Sequence, residues 1–238
     1  MVPEIHGSDI TVYSSIFGDY DRVRDPTVIN PDCRYVLYTD KLHKQPGIWE
    51  QQTIHLEGLE EYRLNRWCKT HSHLLFPKAK WTIYVDGQLQ LTVDPVQLVR
   101  ECLQWSPESQ LFLFRHHERQ CLFDEAEAIL RIRKDRRPIV QAQIARYAAK
   151  GFPKNWGLFL GGFLIRRQPC AAFNRLWWDE IRTGSHRDQI SLPYVLRQFP
   201  LSSSFCPLPA LWWTNYVTRH QHEPTAMRRA FKQRARGI

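Results

Sequence analysis

The chain has 238 residues, 43% hydrophobic and 13% aromatic, enough to bury a sizeable core and too apolar for a disordered segment. Its net charge of +9 is uneven: residues 219–238 hold six Lys/Arg against one Glu, or +5, so the basicity is mostly a tail and argues against a nucleic-acid-binding body. No apolar run reaches the ~18 residues of a membrane span, the start MVPEIHGSDITVYSSIF is unlike a signal peptide, and six widely spaced cysteines without a C-x-x-C pair suggest reduced thiols in a cytoplasm.

Strands and helices alternate along the chain. Ile10 to Phe17 is apolar and β-rich and is followed by the turn Gly18-Asp19-Tyr20-Asp21. Arg34 to Thr39 is a second strand ending in Asp40, and Trp49 to Leu56 a third. Glu60 to Phe76 reads as one helix stopped by Pro77, with Tyr62, Arg66 and Lys69 on related faces. Trp81 to Val85 has no polar break, as in a strand buried on both faces, and ends in Asp86-Gly87-Gln88. Asp94 caps a helix through Trp105, with Pro95 at its first position. Gln110 to Arg115 is a further strand with His116-His117 at its end. Helices are expected over Phe123 to Leu130 and Ile139 to Lys150, joined by an exposed basic hinge, Arg131 to Arg137. Trp156 to Ile165 reads as a strand pair or a bent strand, with glycines at 157, 161 and 162. Helices at Ala171 to Arg182 and Asp188 to Gln198 follow, then a short Pro-rich stretch, Ser203 to Ala210. The alternation predicts a single α/β/α sandwich around a mainly parallel twisted sheet over 1–218, with a basic tail over 219–238.

Polar clusters follow four strands, at Gly18 to Asp21, Asp40, Asp86 to Gln88 and Arg115 to Arg119. Parallel strands bring their carboxyl ends to one edge, where ligands of open α/β sheets bind. Asp86 could hold a hard cation bridging protein and phosphate oxygens, or Asp86-Gly87 could be a tight turn. In Ser185-His186-Arg187-Asp188-Gln189, Asp188 could favour a helix N-terminus through its charge or line a reaction centre. The absence of G-x-x-x-x-G-K-[ST], G-x-G-x-x-G and G-x-S-x-G disfavours a P-loop enzyme, a nicotinamide dehydrogenase and an α/β-hydrolase. His71 with His73, or His116 with His117, could be metal ligands, but the i, i+2 spacing of the first pair spreads it around a helix and favours exposed or hydrogen-bonding roles.

The strings VYSSIFGDYD, YVLYTD, NRWCKTHSHLLFP, WTIYVDGQLQLTVDP, FRHHERQCLFDEA and FNRLWWDEIRTGSHRDQISLPYV occur in order from about Thr11 to Val195. They resemble the bacterial branch of a glycosyltransferase-like family, once a domain of unknown function, that includes plant mucilage-related hexosyltransferases and the plant turgor-regulation-defect protein. That resemblance implies a GT-A-like fold and transfer of a hexose-type sugar from a nucleoside-diphosphate donor, such as a UDP-sugar, to a glycan or other hydroxyl acceptor in polysaccharide biosynthesis. It implies a divalent cation, Mn2+ or Mg2+, on Asp86 of a shortened D-x-D motif, with Gln88 where a second acid often stands and His220 or His222 as a late ligand. Phe17, Gly18, Tyr20, Asp40 and Gly87 would surround the donor, Arg66 and Lys69 its diphosphate, and Arg115 and His116 the sugar or acceptor. Asp188 and Gln189 would be catalytic, with Asp188 the base if configuration inverts.

Two other classes compete. The tail residues Arg228, Arg229, Lys232, Arg234 and Arg236 could touch an anionic membrane surface at its cytoplasmic face, or form a polyanion-binding module. Asp86 and Asp188 could instead be the paired carboxylates of a lipid or glycoside hydrolase.

Overall fold

In the computed structural model, residues 4–45, 47–198 and 205–223 are described. The elements run β1 (Ile10–Ile16), β2 (Arg34–Thr39), β3 (Glu50–Thr53), α1 (Glu61–Thr70), α2 (Ser72–Leu75), β4 (Trp81–Val85), β5 (Leu89–Leu91), α3 (Pro95–Trp105), β6 (Leu111–Arg115), α4 (Leu122–Arg131), α5 (Arg137–Ala149), β7 (Phe159–Arg167), α6 (Ala171–Thr183), α7 (Asp188–Gln198), β8 (Phe205–Leu208) and β9 (Val217–Arg219).

The main sheet has the order β3-β2-β1-β4-β7-β6-β8. β1 lies parallel between β2 and β4, and all its residues are buried, which is why its sequence is apolar or small without alternation. β7 alone runs antiparallel, between β4 and β6, so the sheet is mainly parallel as expected. Successive strand residues face opposite layers. Val12, Leu37, Ile83, Phe112 and Ile165 pack with Val96, Val99 and Leu103 of α3. Tyr13, Val36, Tyr84, Leu113 and Leu164 pack with Leu122 of α4, Val140 of α5, Trp177 of α6 and Val195 of α7. The result is a GT-A-like α/β/α sandwich.

Four expectations change. The helix predicted over 60–76 is two helices broken at His71, because the Thr70 hydroxyl bonds to the Arg66 carbonyl (2.9 Å) at the end of α1. For Trp156 to Ile165 the strand pair falls and the bent strand holds, though it starts only at Phe159, and its register against β6 shifts between Leu113 and Arg115. In the basic stretch 131–137, Arg131, Arg133 and Arg136 are exposed, but the Asp135 carboxylate is drawn inward. The Pro-rich stretch contains β8, at the sheet edge where Pro207 costs least.

Arg219, where the tail was placed, ends β9, which pairs antiparallel with β5. The tail arginines at 228, 229, 234 and 236 and Lys232 lie outside the described residues. No helix among the described residues is long and apolar enough to cross a membrane.

Candidate active site

The direction of β1, β2, β4 and β6 brings their exit loops to one edge. Gly18, in the left-handed region at φ +63°, donates its N–H to Asp40 Oδ1 (3.2 Å), tying the β1 and β2 exits together. Gly87 follows Asp86 where a Cβ would stand 2.8 Å from both Ile16 and Asp21 side-chain atoms, so the β4 exit must be glycine. Asp86 accepts from the Tyr84 hydroxyl (2.6 Å), and its N–H bonds the Gly162 carbonyl (2.8 Å).

Over this edge, α1 runs beside the 185–188 segment. Arg63 clamps the two by donating to the carbonyls of Ile181 (2.5 Å) and Gly184 (3.1 Å). The face of α1 defined by Tyr62, Arg66 and Lys69 then meets that segment from rim to floor. The Tyr62 ring lies 4.5 Å from the His186 ring, Arg66 Nε lies 3.5 Å from Asp188 Oδ2, and Lys69 Nζ donates to the same oxygen at 2.5 Å. Lys69 also reaches to 3.6 Å from Asp86 Oδ1, joining the two carboxylates. Exposure falls along the face, from 42% at Tyr62 to 1% at Lys69. Trp177 Nε1 donates to the Asp188 carbonyl (3.3 Å) and Ser191 Oγ (3.2 Å), seating the start of α7.

The consecutive glycines of β7 make room for the acids. A Cβ on Gly161 would stand 3.0 Å from Asp188 Oδ2, and one on Gly162 would stand 2.9 Å from Asp86 Oδ2. Any side chain would displace a carboxylate.

The cluster carries excess positive charge. Burial opposes ionisation of Asp188, but Lys69, Arg66 and Arg187 override it and hold its carboxyl far below the ordinary value. Burial and repulsion from Arg66 pull Arg187 down. Burial and the adjacent Asp86 charge keep the Tyr84 phenol protonated, able to donate. The Nε atoms of Arg66 and Arg187 are enclosed and have no hydrogen-bond partner among the described residues. Buried unpaired donors on cations are costly in a closed core and ordinary where an anion docks.

The predicted site residues fall into two groups. Arg66, Lys69, Asp86 and Asp188 converge as described, with Gly87 shaping the turn beside them. Others do not join those contacts. Phe17 is buried against Leu64 and Cys68 of α1, so its ring is core rather than donor surface. His116 is buried in its own loop: its Nδ1 accepts from the Glu118 and Arg119 N–H groups (3.1 and 3.2 Å), and Arg119 packs on its Nε2. Arg115 is exposed at the end of β6. Gln189 reaches the Phe159 carbonyl of β7 (3.4 Å). Tyr20 is exposed at the rim, with its ring 4.6 Å from that of His222, and lies close enough to act on the charges of Arg66 and Arg187.

The donor set does not fit a divalent cation held by the protein. Gln88 supplies no charge. Asp86 is already bonded by Tyr84 and faced by the Lys69 ammonium, and His220 Nε2 pairs with Gln90 Oε1 (3.0 Å). Among the described residues no three His, Cys, Asp or Glu side chains group as metal ligands.

Three residues of the site, Asp135, His186 and Arg187, are not singled out by the sequence. Asp135 Oδ2 accepts from Ser185 Oγ (2.6 Å), from the His186 N–H (3.1 Å) and from His186 Nδ1 (3.0 Å). Asp135 was hidden among five basic residues in a stretch that reads as solvent-exposed, and a lone His beside Arg187 carries no spacing signal.

The GT-A-like sheet agrees with what the chain is similar to. Residues 2–206 match the TOD1/MUCI70, glycosyltransferase-like domain family, and the chain belongs to it. It is 26% identical over 214 residues to the protein named "Probable hexosyltransferase MUCI70" of Arabidopsis thaliana, covering 78% of this chain and 37% of that one. It is also 26% identical over 230 residues to "Alkaline ceramidase TOD1" of Arabidopsis thaliana, covering 81% of this chain and 49% of the relative. The chain thus spans less than half the length of either. Among solved structures, the WbbM bifunctional glycosyltransferase superposes with a TM-score of 0.52 at 9% identity, over 87% of this chain and 40% of that one, a likeness of fold.

Proposed function

We propose that this domain transfers a hexose-type sugar from a nucleoside-diphosphate donor to a hydroxyl of a glycan or another acceptor. The observation that carries the reading is the convergence of Arg66, Arg187 and Lys69 on the carboxyl edge of the sheet, with Arg187 Nε buried without a hydrogen-bond partner among the described residues and Arg66 Nε held only by a 3.5 Å ion pair to Asp188. A diphosphate supplies the acceptor oxygens those donors lack, and guanidinium groups bind phosphate at fixed geometry. Family membership and the hexosyltransferase relative support the same chemistry.

The demands of the reaction fit the residues. Charge develops on the departing diphosphate, and preorganised cations in an enclosed site stabilise it. Arg66 and Arg187 take that role. Lys69 and Asp188 form the floor: Asp188 fixes both Lys69 and Arg66, and its strongly depressed pKa suits positioning better than proton acceptance. Asp86, oriented by Tyr84 and opposite Gly162, faces the donor sugar.

Calorimetric titration with a series of nucleoside diphosphates, with and without manganese, tests the reading. Uridine diphosphate is expected to bind, with little dependence on manganese. Failure of every nucleotide would end it. The ceramidase name of the second relative favours one alternative, hydrolysis of a lipid amide. Release of fatty acid from ceramide without any nucleotide would support that instead.

A further inference from the structure

We propose that His186, oriented by Asp135, is the proton acceptor for the incoming hydroxyl, and that the acceptor enters over the Tyr62–His186 rim. The inference rests on the transfer reading above and assigns a role that Asp188 fills poorly.

The geometry is that of an aligned base. Asp135 Oδ2 receives His186 Nδ1–H at 3.0 Å, which fixes the tautomer with Nε2 free to accept. Nε2 makes no hydrogen bond to any described residue, and the His186 side chain keeps 18% exposure. Asp135 is itself held: Ser185 Oγ donates to it, Gln143 Oε1 accepts the Ser185 N–H (2.8 Å), and the His186 N–H returns to the same carboxylate. An imidazole fixed on one nitrogen and open on the other needs a partner from solution.

Placement agrees. His186 precedes Asp188 by two residues, and Arg187 lies between, so proton acceptor and diphosphate cations share one turn. On α1, Tyr62 faces His186 one helical turn before Arg66 faces Asp188. The exposed Tyr62 ring offers a sugar a flat apolar surface at the open end, while the charged floor suits the donor diphosphate.

The charged and titratable groups facing His186 are Asp135 from the α4–α5 connection, Arg187 in its own segment, and Arg66 and Tyr62 from α1. Burial pulls its pKa below 6.5, with Asp135 opposing and the two arginines reinforcing, so the ring is neutral and able to accept at pH 7. In the reaction the acceptor oxygen bonds to the anomeric carbon as its proton passes to Nε2. The bond from that carbon to the diphosphate oxygen breaks, and its electron pair leaves on the diphosphate.

The test compares the wild-type chain with His186→Ala, His186→Gln and Asp135→Asn. The readouts are uridine diphosphate affinity and release of uridine diphosphate from a UDP-hexose in the presence of a hexoside acceptor. His186→Ala should lose about 10²-fold or more in turnover, bind uridine diphosphate as the wild type does, and recover turnover when free imidazole is added. His186→Gln keeps a donor toward Asp135 and should lose turnover equally while melting near the wild type, which separates the chemical role from a folding defect. Asp135→Asn should move the acid limb of kcat/KM to lower pH. Near-wild-type turnover in either His186 variant overturns the proposal, as does a loss that imidazole does not relieve. A wild-type chain that binds no nucleoside diphosphate overturns the transfer reading and this inference with it, whereas the other failures leave that reading standing.

Discussion

Two buried ionic clusters sit within this fold, and they are built to opposite rules. On α5 and α6, Glu180 is saturated: Arg146 grips it at 3.0 and 2.6 Å, and Tyr147 donates its hydroxyl at 2.6 Å. Gln143 donates to that same hydroxyl-bearing Tyr147 (2.7 Å) and to the Glu180 carbonyl (3.2 Å). At the sheet edge, Asp188 is shared by Lys69 and by Arg66, whose Nε reaches it only at 3.5 Å, while Arg187 keeps an enclosed Nε–H without a hydrogen-bond partner among the described residues. The first cluster is closed and pins two helices. The second is left with donors and positive charge to spare, the condition in which a folded protein waits for an anion.

Breaking each cluster should therefore give different results. The largest effect is expected at Asp188. Asp188→Asn leaves Lys69 and Arg66 facing only Asp86, and removal of one partner of a buried pair costs roughly 3–5 kcal/mol; denaturant unfolding measures it, and added uridine diphosphate should restore part of the loss. Next in size is Arg187→Met. It removes a cation that burial and Arg66 both disfavour, so stability should hold or rise, while nucleotide affinity should fall about 10- to 100-fold, the worth of a charge-assisted hydrogen bond. Glu180→Gln should lower stability by roughly 2 kcal/mol and leave nucleotide affinity unchanged. A loss of affinity in Glu180→Gln, or a loss of stability in Arg187→Met, would erase the distinction between the clusters.

The sequence revealed the sheet edge better than the pocket on it. Trp81 to Val85 declares a doubly buried strand, and once the strands are parallel, Asp86 has to lie at the edge. Helical spacing puts Arg66 and Lys69 on related faces of one helix, while their place at the site follows from the family resemblance. What spacing could not show was depth: Lys69 looked like a phosphate-binding arm and is instead the buried floor, because its contacts with Asp188 lie 119 residues away. Phe17 and His116 failed for a related reason. Each sits at a strand exit, but whether such a side chain faces ligand or core depends on the element packed over it, here α1 for Phe17 and the 116–119 loop for His116. Asp135 was masked by its basic neighbours, since local charge predicts exposure and only the fold brings Ser185 and His186 over it.

An effect no larger than that at Glu180 concerns pH and separates Asp135 from both clusters. Burial acts against the charge of Asp135, but the bonds from His186 and Ser185 override it and hold its pKa down from 3.8 to about 2. A depressed carboxyl contributes stability that is fully present above its unfolded value and lost as pH falls through its folded one. By that linkage Asp135→Asn should cost roughly 2 kcal/mol at neutral pH. His186 modulates the gap. Its folded pKa lies below 6.5, so protonation on acidification destabilises the fold, and Asp135 softens that loss by favouring the imidazolium. The difference between wild type and Asp135→Asn should therefore widen as pH falls below 6.5 and then close as Asp135 itself takes a proton near pH 2. Chemical denaturation across that range reads both movements. A gap that stays constant from neutral to acid pH would mean that the Asp135–His186 contact carries no charge in the folded protein, and that Asp135 serves only to hold the Ser185 turn.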